Sequence, residues 1–415
     1  MKANGSPWKG SYVITPRNTS RRLNSVDTEA LCAAAKRKTG LEDFGEPPLE
    51  PALPVLVESI NCEANLHGRG RFLMRCHLQE LLETRLRLVQ AWKKHSGSQA
   101  PLQAPIVITG VPRSGSTFLQ ELLSTDSAHR AVRVWEAMFP DSAMVADQGW
   151  HDSRIWKAAA RLWLFRRMAP GVDAAHPLRA RTPQECVTIH SYTFCSEEFL
   201  TTCRLPTYET FLRAADKTPA YAWQKRFLEH LQGDCRQRWI LKAPDHSHAL
   251  EALFSVFPDA LIVQTHRNPL EVLPSLVRLT EGLHKLFARP GDRQLLAERE
   301  ARILAAAMER VSQFRDAHPE LASQFVDVHY PELAADPLAV VQRIYAQFDL
   351  PLTVRTAERV RRLALHRSRY PGRRSAPKLA EMGLDFSREV GRFADYCRRF
   401  GIRPPMVERA LARRL

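Results

Sequence analysis

A continuous β-branched run, Ile106-Val107-Ile108-Thr109, stops at Gly110 and gives way to Val-Pro-Arg-Ser-Gly-Ser-Thr. Apolar residues then recur at helical spacing: Phe118, Leu119, Leu122 and Leu123. A short β-branched run, a Gly/Pro/Ser turn and a 3.6-residue period predict strand, loop and helix in succession. The rhythm continues downstream. Strands are predicted over 131–134, 239–242, 260–266 and 324–329, and helices over 246–257, 269–288, 293–317 and 336–348. Strands alternating with helices argue for an α/β fold with a mostly parallel sheet flanked by helices. Upstream, residues 28–38 and 52–65 read as short helices. Phe72, Leu73, Cys76, Leu81, Leu82 and Leu86 predict a long amphipathic helix over 70–94. Residues 1–24 read as unstructured and 96–105 as a linker.

The loop at 110–117 changes the picture from fold to chemistry. Backbone N–H groups of a tight turn and of the helix start behind it converge on one spot, which suits a phosphate or a sulfate. Gly110 and Gly115 have the spacing of a nucleotide-hydrolase loop, but Ser116 stands where that loop has its lysine. The site is built for an anion, and it lacks the local cation that reaches the terminal phosphates of a triphosphate. The chain thus reads as a helical N-terminal extension over 1–100 and a P-loop-like domain over 101–415. Within that domain, a helix-rich, aromatic stretch over 140–235 forms a substrate-binding insertion.

A second anion grip is predicted at the end of strand 260–266. Arg267 offers planar paired donors, and Ser275, eight residues on, adds a hydroxyl from the following helix. Carboxyl ends of strands are where ligands bind in such sheets. Lys242 ends another predicted strand, with His246 four residues beyond it, and Glu136 follows the predicted strand 131–134.

Bulk properties narrow the class. The formal net charge is +15, and residues 351–415 hold 17 Lys and Arg against 6 Asp and Glu. Such an excess suits nucleic acid, anionic lipid or an anionic ligand. The tail lacks the aromatic interleaving of a nucleic-acid surface, so no nucleic-acid partner is predicted. The eight cysteines form no C-x-x-C pair and no zinc-ligand spacing, so reduced thiols, a cytoplasmic location and no metal are expected. Charges break every apolar stretch, so no transmembrane segment is predicted. The polar first residues give no secretory signal.

Taken together, the motifs resemble the signatures of sulfotransferases that use 3′-phosphoadenosine 5′-phosphosulfate, and the bacterial-type branch in particular. Pro112-Arg113-Ser114-Gly115-Ser116-Thr117 is similar to the family's first loop. Arg267 with Ser275 is similar to its second signature. Trp135-Glu136, Leu241-Lys242-Ala243-Pro244-Asp245-His246, Phe257-Pro258-Asp259-Ala260, Thr265-His266-Arg267 and Tyr330-x-x-Leu333 follow in the family's order over residues 38–402. The resemblance implies that Arg113, Ser114, Gly115, Ser116 and Thr117 cradle the 5′-phosphosulfate. Arg267 and Ser275 would then hold the 3′-phosphate. Lys242 would neutralise the leaving oxygen or the sulfuryl group, and His246 or Glu136 would take the acceptor's proton. It also implies a donor nucleotide as co-substrate, no metal, and a small-molecule hydroxyl or amine acceptor. The apolar insertion favours a hydrophobic or amphipathic alcohol. Arg113 stands where the cytosolic branch has lysine, and Tyr370-Pro371-Gly372-Arg373-Arg374 precedes Gly383-Leu384-Asp385 in a shifted register. The competing reading is a P-loop kinase or nucleoside triphosphatase. Ser116, and strands that end in Lys242 and Arg267 rather than an acid, argue against it.

Overall fold

A computed structural model describes residues 25–94, 100–140, 152–168, 178–368 and 379–403. Expectations for residues 1–24, 96–99 and 370–374 lie outside them. The chain divides into two compact units. One comprises residues 1–101, 133–235 and 282–290; the other comprises 102–132, 236–281 and 291–415.

The second unit holds a five-stranded sheet: β1 (Ile106–Gly110), β2 (His129–Arg130), β3 (Arg238–Lys242), β4 (Leu261–His266) and β5 (Phe325–His329). The order is β2-β3-β1-β4-β5, and every pairing is parallel. β1 is central because both its faces are apolar: Ile106, Val107 and Ile108 are all fully buried. Ile106 and Ile108 pack with Ile240, Val263, Val326, Leu119 and Leu122 on one side. Val107, Leu241 and Ile262 alternate to the other side and are buried too. The register sets Lys242 beside Ile108 and Thr265 beside Gly110. Three strand ends thereby come to one edge.

Two elements differ from expectation. The run 131–134 is not a strand. Pairing with β3 occurs at His129–Arg130, and Val134 begins a short helix, Val134–Met138. The N–H groups of Val134 and Trp135 donate to the carbonyls of Thr182 and Ala180, and the Glu136 carboxylate accepts from the Arg133 N–H. Those bonds claim the donors that a strand would need. The helix expected over 246–257 is split into a 3₁₀ turn, Pro244–His248, and a helix, Leu250–Val256. Hydroxyls from Thr109 and Ser247 join at 2.9 Å and hold the turn to the end of β1.

The first unit is helical. Its main members are Thr28–Thr39, Ala52–Cys62, Gly68–Lys94, Ser153–Met168, Pro206–Ala214 and Thr218–Gln232. Tyr192, Phe194, Phe199, Tyr208, Phe211, Tyr221 and Trp223 are buried in it, so most aromatics of the stretch 140–235 are core. Arg85, fully buried, donates to the carbonyls of Phe44, Gly45, Pro47 and Tyr192, and its guanidinium lies over the Trp223 ring. Burial pushes its pKa down to about 9. The bonds to four carbonyls offset the desolvation of that charge and tie three chain segments together. No helix among the described residues is long and apolar enough to cross a membrane.

Candidate active site

The candidate site is built at the carboxyl edge of the sheet, around the loop between β1 and helix Ser116–Leu123. Gly110 has φ +113°, and a Cβ there would sit 2.3 Å from the Thr265 carbonyl oxygen, so only glycine allows β1 to run this close to β4. Gly115, at φ +87°, turns the chain into the helix, and a side chain there would meet Tyr330 and Leu333. Arg113 also holds a left-handed backbone, φ +64°, which a non-glycine residue adopts at a cost in strain. The first N–H groups of the helix have no carbonyl one turn back, and its dipole favours an anion at this end.

Ser114 is fully buried, and its hydroxyl contacts the Val111 carbonyl and Thr265 Oγ1, 2.7 Å away. Its side chain therefore braces the loop, and what it can offer an anion is its backbone N–H. Ser116 is buried at the helix start. Thr117 is half-buried, and its hydroxyl accepts from Lys242 Nζ at 3.0 Å. A cation thus reaches this helix start from across the sheet, from the end of β3.

The other flank of the loop meets the second motif. Arg113 Nε donates to Ser275 Oγ at 3.3 Å, and Arg267 Nη1 donates to the Arg113 carbonyl at 3.1 Å. Arg267 also pairs with Glu271 at 3.3 Å and lies over the Tyr330 ring, 4.2 Å from its centroid. Pro274 interrupts the hydrogen-bond ladder of helix Pro269–Phe287 one residue before Ser275. Arg113, Arg267 and Ser275 are therefore brought together on one side of the loop, and Lys242 and Thr117 on the other. His246 is fully buried in the turn that follows Lys242. Glu136 belongs to the first unit, where its carboxylate accepts from the Arg133 N–H at 2.8 Å and caps helix Val134–Met138.

A family model described as the sulfotransferase family matches residues 105–354, three-fifths of the chain and the whole of this strand-end constellation. The chain belongs to the sulfotransferase family. Among curated sulfotransferases, it is similar to the omega-hydroxy-beta-dihydromenaquinone-9 sulfotransferase Stf3 of Mycobacterium bovis and of Mycobacterium tuberculosis. The identity is 25% over 256 residues, covering 59% of this chain. The match spans 63% of the length of those relatives. Two crystal structures are similar over nearly the whole fold. Sulfotransferase STF1 of Mycobacterium tuberculosis superposes with a TM-score of 0.79 at 29% identity, covering 90% of this chain and 100% of its own. Sulfotransferase STF9 of Mycobacterium avium gives 0.81 at 26%, covering 92% and 99%.

In this sulfotransferase fold, sequence reasoning missed the residues that brace the site. Thr109 Oγ1 donates to the Ala243 carbonyl at 3.1 Å, Ser247 Oγ accepts from the Gly110 N–H at 3.1 Å, and Thr265 Oγ1 donates to the Thr109 carbonyl at 2.9 Å. These hydroxyls hold β1, the turn of His246 and β4 in register. Behind Arg267, His266 is fully buried, with Nδ1 2.7 Å from Tyr396 Oη and Nε2 2.8 Å from Asp327. Arg315 closes the group on Asp327 at 2.7 Å. Burial pushes the Asp327 carboxyl up, but the bonds from His266 and Arg315 prevail and hold it well below the usual carboxylate range. The available signal was that Thr109 and Thr265 are polar residues at strand ends. Their partners required the sheet register.

Proposed function

We propose that the chain transfers a sulfuryl group from 3′-phosphoadenosine 5′-phosphosulfate to the hydroxyl of a small amphipathic molecule. The single observation that carries this reading is the loop gripped from both flanks, by Lys242 through Thr117 and by Arg113 with Arg267 and Ser275. Three cations and a helix N-terminus around one turn match a ligand with negative charge at both ends. The omega-hydroxy-dihydromenaquinone in the name of the mycobacterial relatives supports the acceptor class.

Each residue then has a task. The N–H groups of Gly115, Ser116 and Thr117 orient the sulfuryl end, and Arg267 with Ser275 fixes the 3′-phosphate. Arg113 spans the two. Lys242 Nζ offsets the charge that grows on the bridging phosphate oxygen as the S–O bond to it breaks. His246 takes the proton of the acceptor hydroxyl as its oxygen bonds to sulfur. Ser247, next in the chain, ties this turn to β1, so the base and the loop move as one body. Glu136 is the weaker candidate for the base, because its carboxylate already serves a helix start.

The test is calorimetric titration with 3′,5′-adenosine bisphosphate, followed by transfer of ³⁵S from the labelled donor to lipid and metabolite extracts. Saturable binding and a labelled organic product are expected. No binding at high protein concentration would overturn the reading.

A further inference from the structure

Helix Ser153–Met168 of the first unit has two apolar faces. One carries Ile155, Ala158 and Leu162 and packs with Val134, Trp135 and Ala180. The other stands in water: Trp156 is 66% exposed, Trp163 58% and Leu164 52%. Helical spacing sets these three on one stripe, with exposed Lys157 and Arg167 along it. The Arg167 guanidinium lies over the Trp163 ring, 5.4 Å from its centroid. Residues 153–168 hold five Lys and Arg and no acid. Arg161 of this helix pairs with Glu80 of helix Gly68–Lys94. The same ridge of that second helix carries Phe72, two turns earlier and 65% exposed.

Two tryptophans and a leucine side by side in water form an apolar patch of the kind that marks an interaction surface. An indole combines an apolar body with an N–H at its rim, which suits the boundary between acyl chains and headgroups. A helix with tryptophan and leucine among lysines and arginines has the chemistry of an interfacial helix. The cations select the lipid, since each gains from a phosphate headgroup without a compensating amine. The chain's net charge of +15 acts in the same direction.

We propose that the outer face of helix Ser153–Met168 docks the protein on an anionic lipid bilayer. The docking stands apart from the sulfuryl-transfer reading, because none of these residues belongs to the candidate site. It extends that reading by bringing the enzyme to the phase in which an amphipathic alcohol resides.

The test is co-sedimentation of the full chain with vesicles of phosphatidylcholine alone and of mixed phosphatidylcholine and phosphatidylglycerol. The wild type is expected to sediment with the mixed vesicles and far less with the neutral ones. Trp156→Ser with Trp163→Ser is expected to weaken partitioning at least about tenfold. Lys157→Gln with Arg167→Gln is expected to weaken it about fivefold per cation. Both pairs retain the wild-type circular dichroism and the affinity for 3′,5′-adenosine bisphosphate, so a failure to dock is distinct from a failure of the nucleotide site. If the tryptophan pair does not fold, the glutamine pair on the same stripe decides. Wild type that stays in the supernatant, or variants that sediment like it, would overturn the proposal. So would a wild-type dimer in sedimentation velocity that both pairs convert to monomer, which would assign the face to a second copy.

Discussion

The two units treat buried polarity in opposite ways. In the helical unit, a buried charge is spent on architecture: Arg85 is bound to four backbone carbonyls, and Glu136 caps a helix start. In the sheet unit, buried and half-buried polar side chains gather at one edge and face one another across strands. Lys242 meets Thr117, Arg113 meets Ser275, and Ser247 meets Thr109. A parallel sheet aligns the ends of strands that are far apart in the chain, so a few hydroxyls and cations suffice to assemble a site there. A helical bundle has no such common edge, and its buried Arg85 and Glu136 satisfy backbone groups instead.

The contrast can be broken first at the proton acceptor. His246→Gln is expected to lower turnover by about 10²–10⁴-fold, the usual worth of a general base, and Glu136→Gln by less than about tenfold. Measured transfer from the labelled donor decides. The reverse pattern would make Glu136 the base. Next in size is Lys242→Ala, expected to cost about 10²–10³-fold in turnover while affinity for 3′,5′-adenosine bisphosphate stays nearly unchanged. An equal loss in both would make the lysine a binding group only. Arg267→Ala is expected to weaken binding of that nucleotide about 10–100-fold, the worth of charge-assisted hydrogen bonds, with the fold intact. Unchanged affinity would remove Arg267 from the site.

The smallest effect concerns the braces behind Arg267. Burial lowers the pKa of His266 below its ordinary 6.5, against the opposing pull of Asp327. The unfolded chain therefore takes up this proton first as pH falls. The stability linked to His266 is full above about pH 6.5 and is lost as pH drops through the lowered value. Asp327, with its depressed pKa, holds its contribution above its ordinary 3.8 and loses it only further down. Thermal melts between pH 7 and pH 5 should show a falling Tm that flattens in His266→Gln. A slope that persists in the variant would place the titrating group elsewhere.

The strand–loop–helix at 105–124 was readable because each of its signals is local. The β-branched run, the glycine spacing and the helical period fall within twenty residues. Arg267 and Ser275 stand out in the sequence for the same reason, although Ser275 bonds Arg113 and not Arg267. Strand 131–134 was misread because β-branched residues also tolerate a helix start once neighbouring carbonyls and Glu136 take their donors. The split of the helix over 246–257 was not readable, since its cause is the Thr109–Ser247 bond across 138 positions.

The order of residues alone determined the α/β class, the glycine turn between the first core strand and its helix, and the absence of a lysine at position 116. Local propensity and spacing fix such features before any long-range contact forms. What folding alone decided is which side chains meet around that turn. Lys242 and Thr117 are 125 positions apart, and Arg113 and Ser275 are 162 apart. No sequence period spans such distances. Parallel pairing of β1 with β3 and β4 closes them, because burying both faces of the central strand forces its neighbours into a register that aligns their ends.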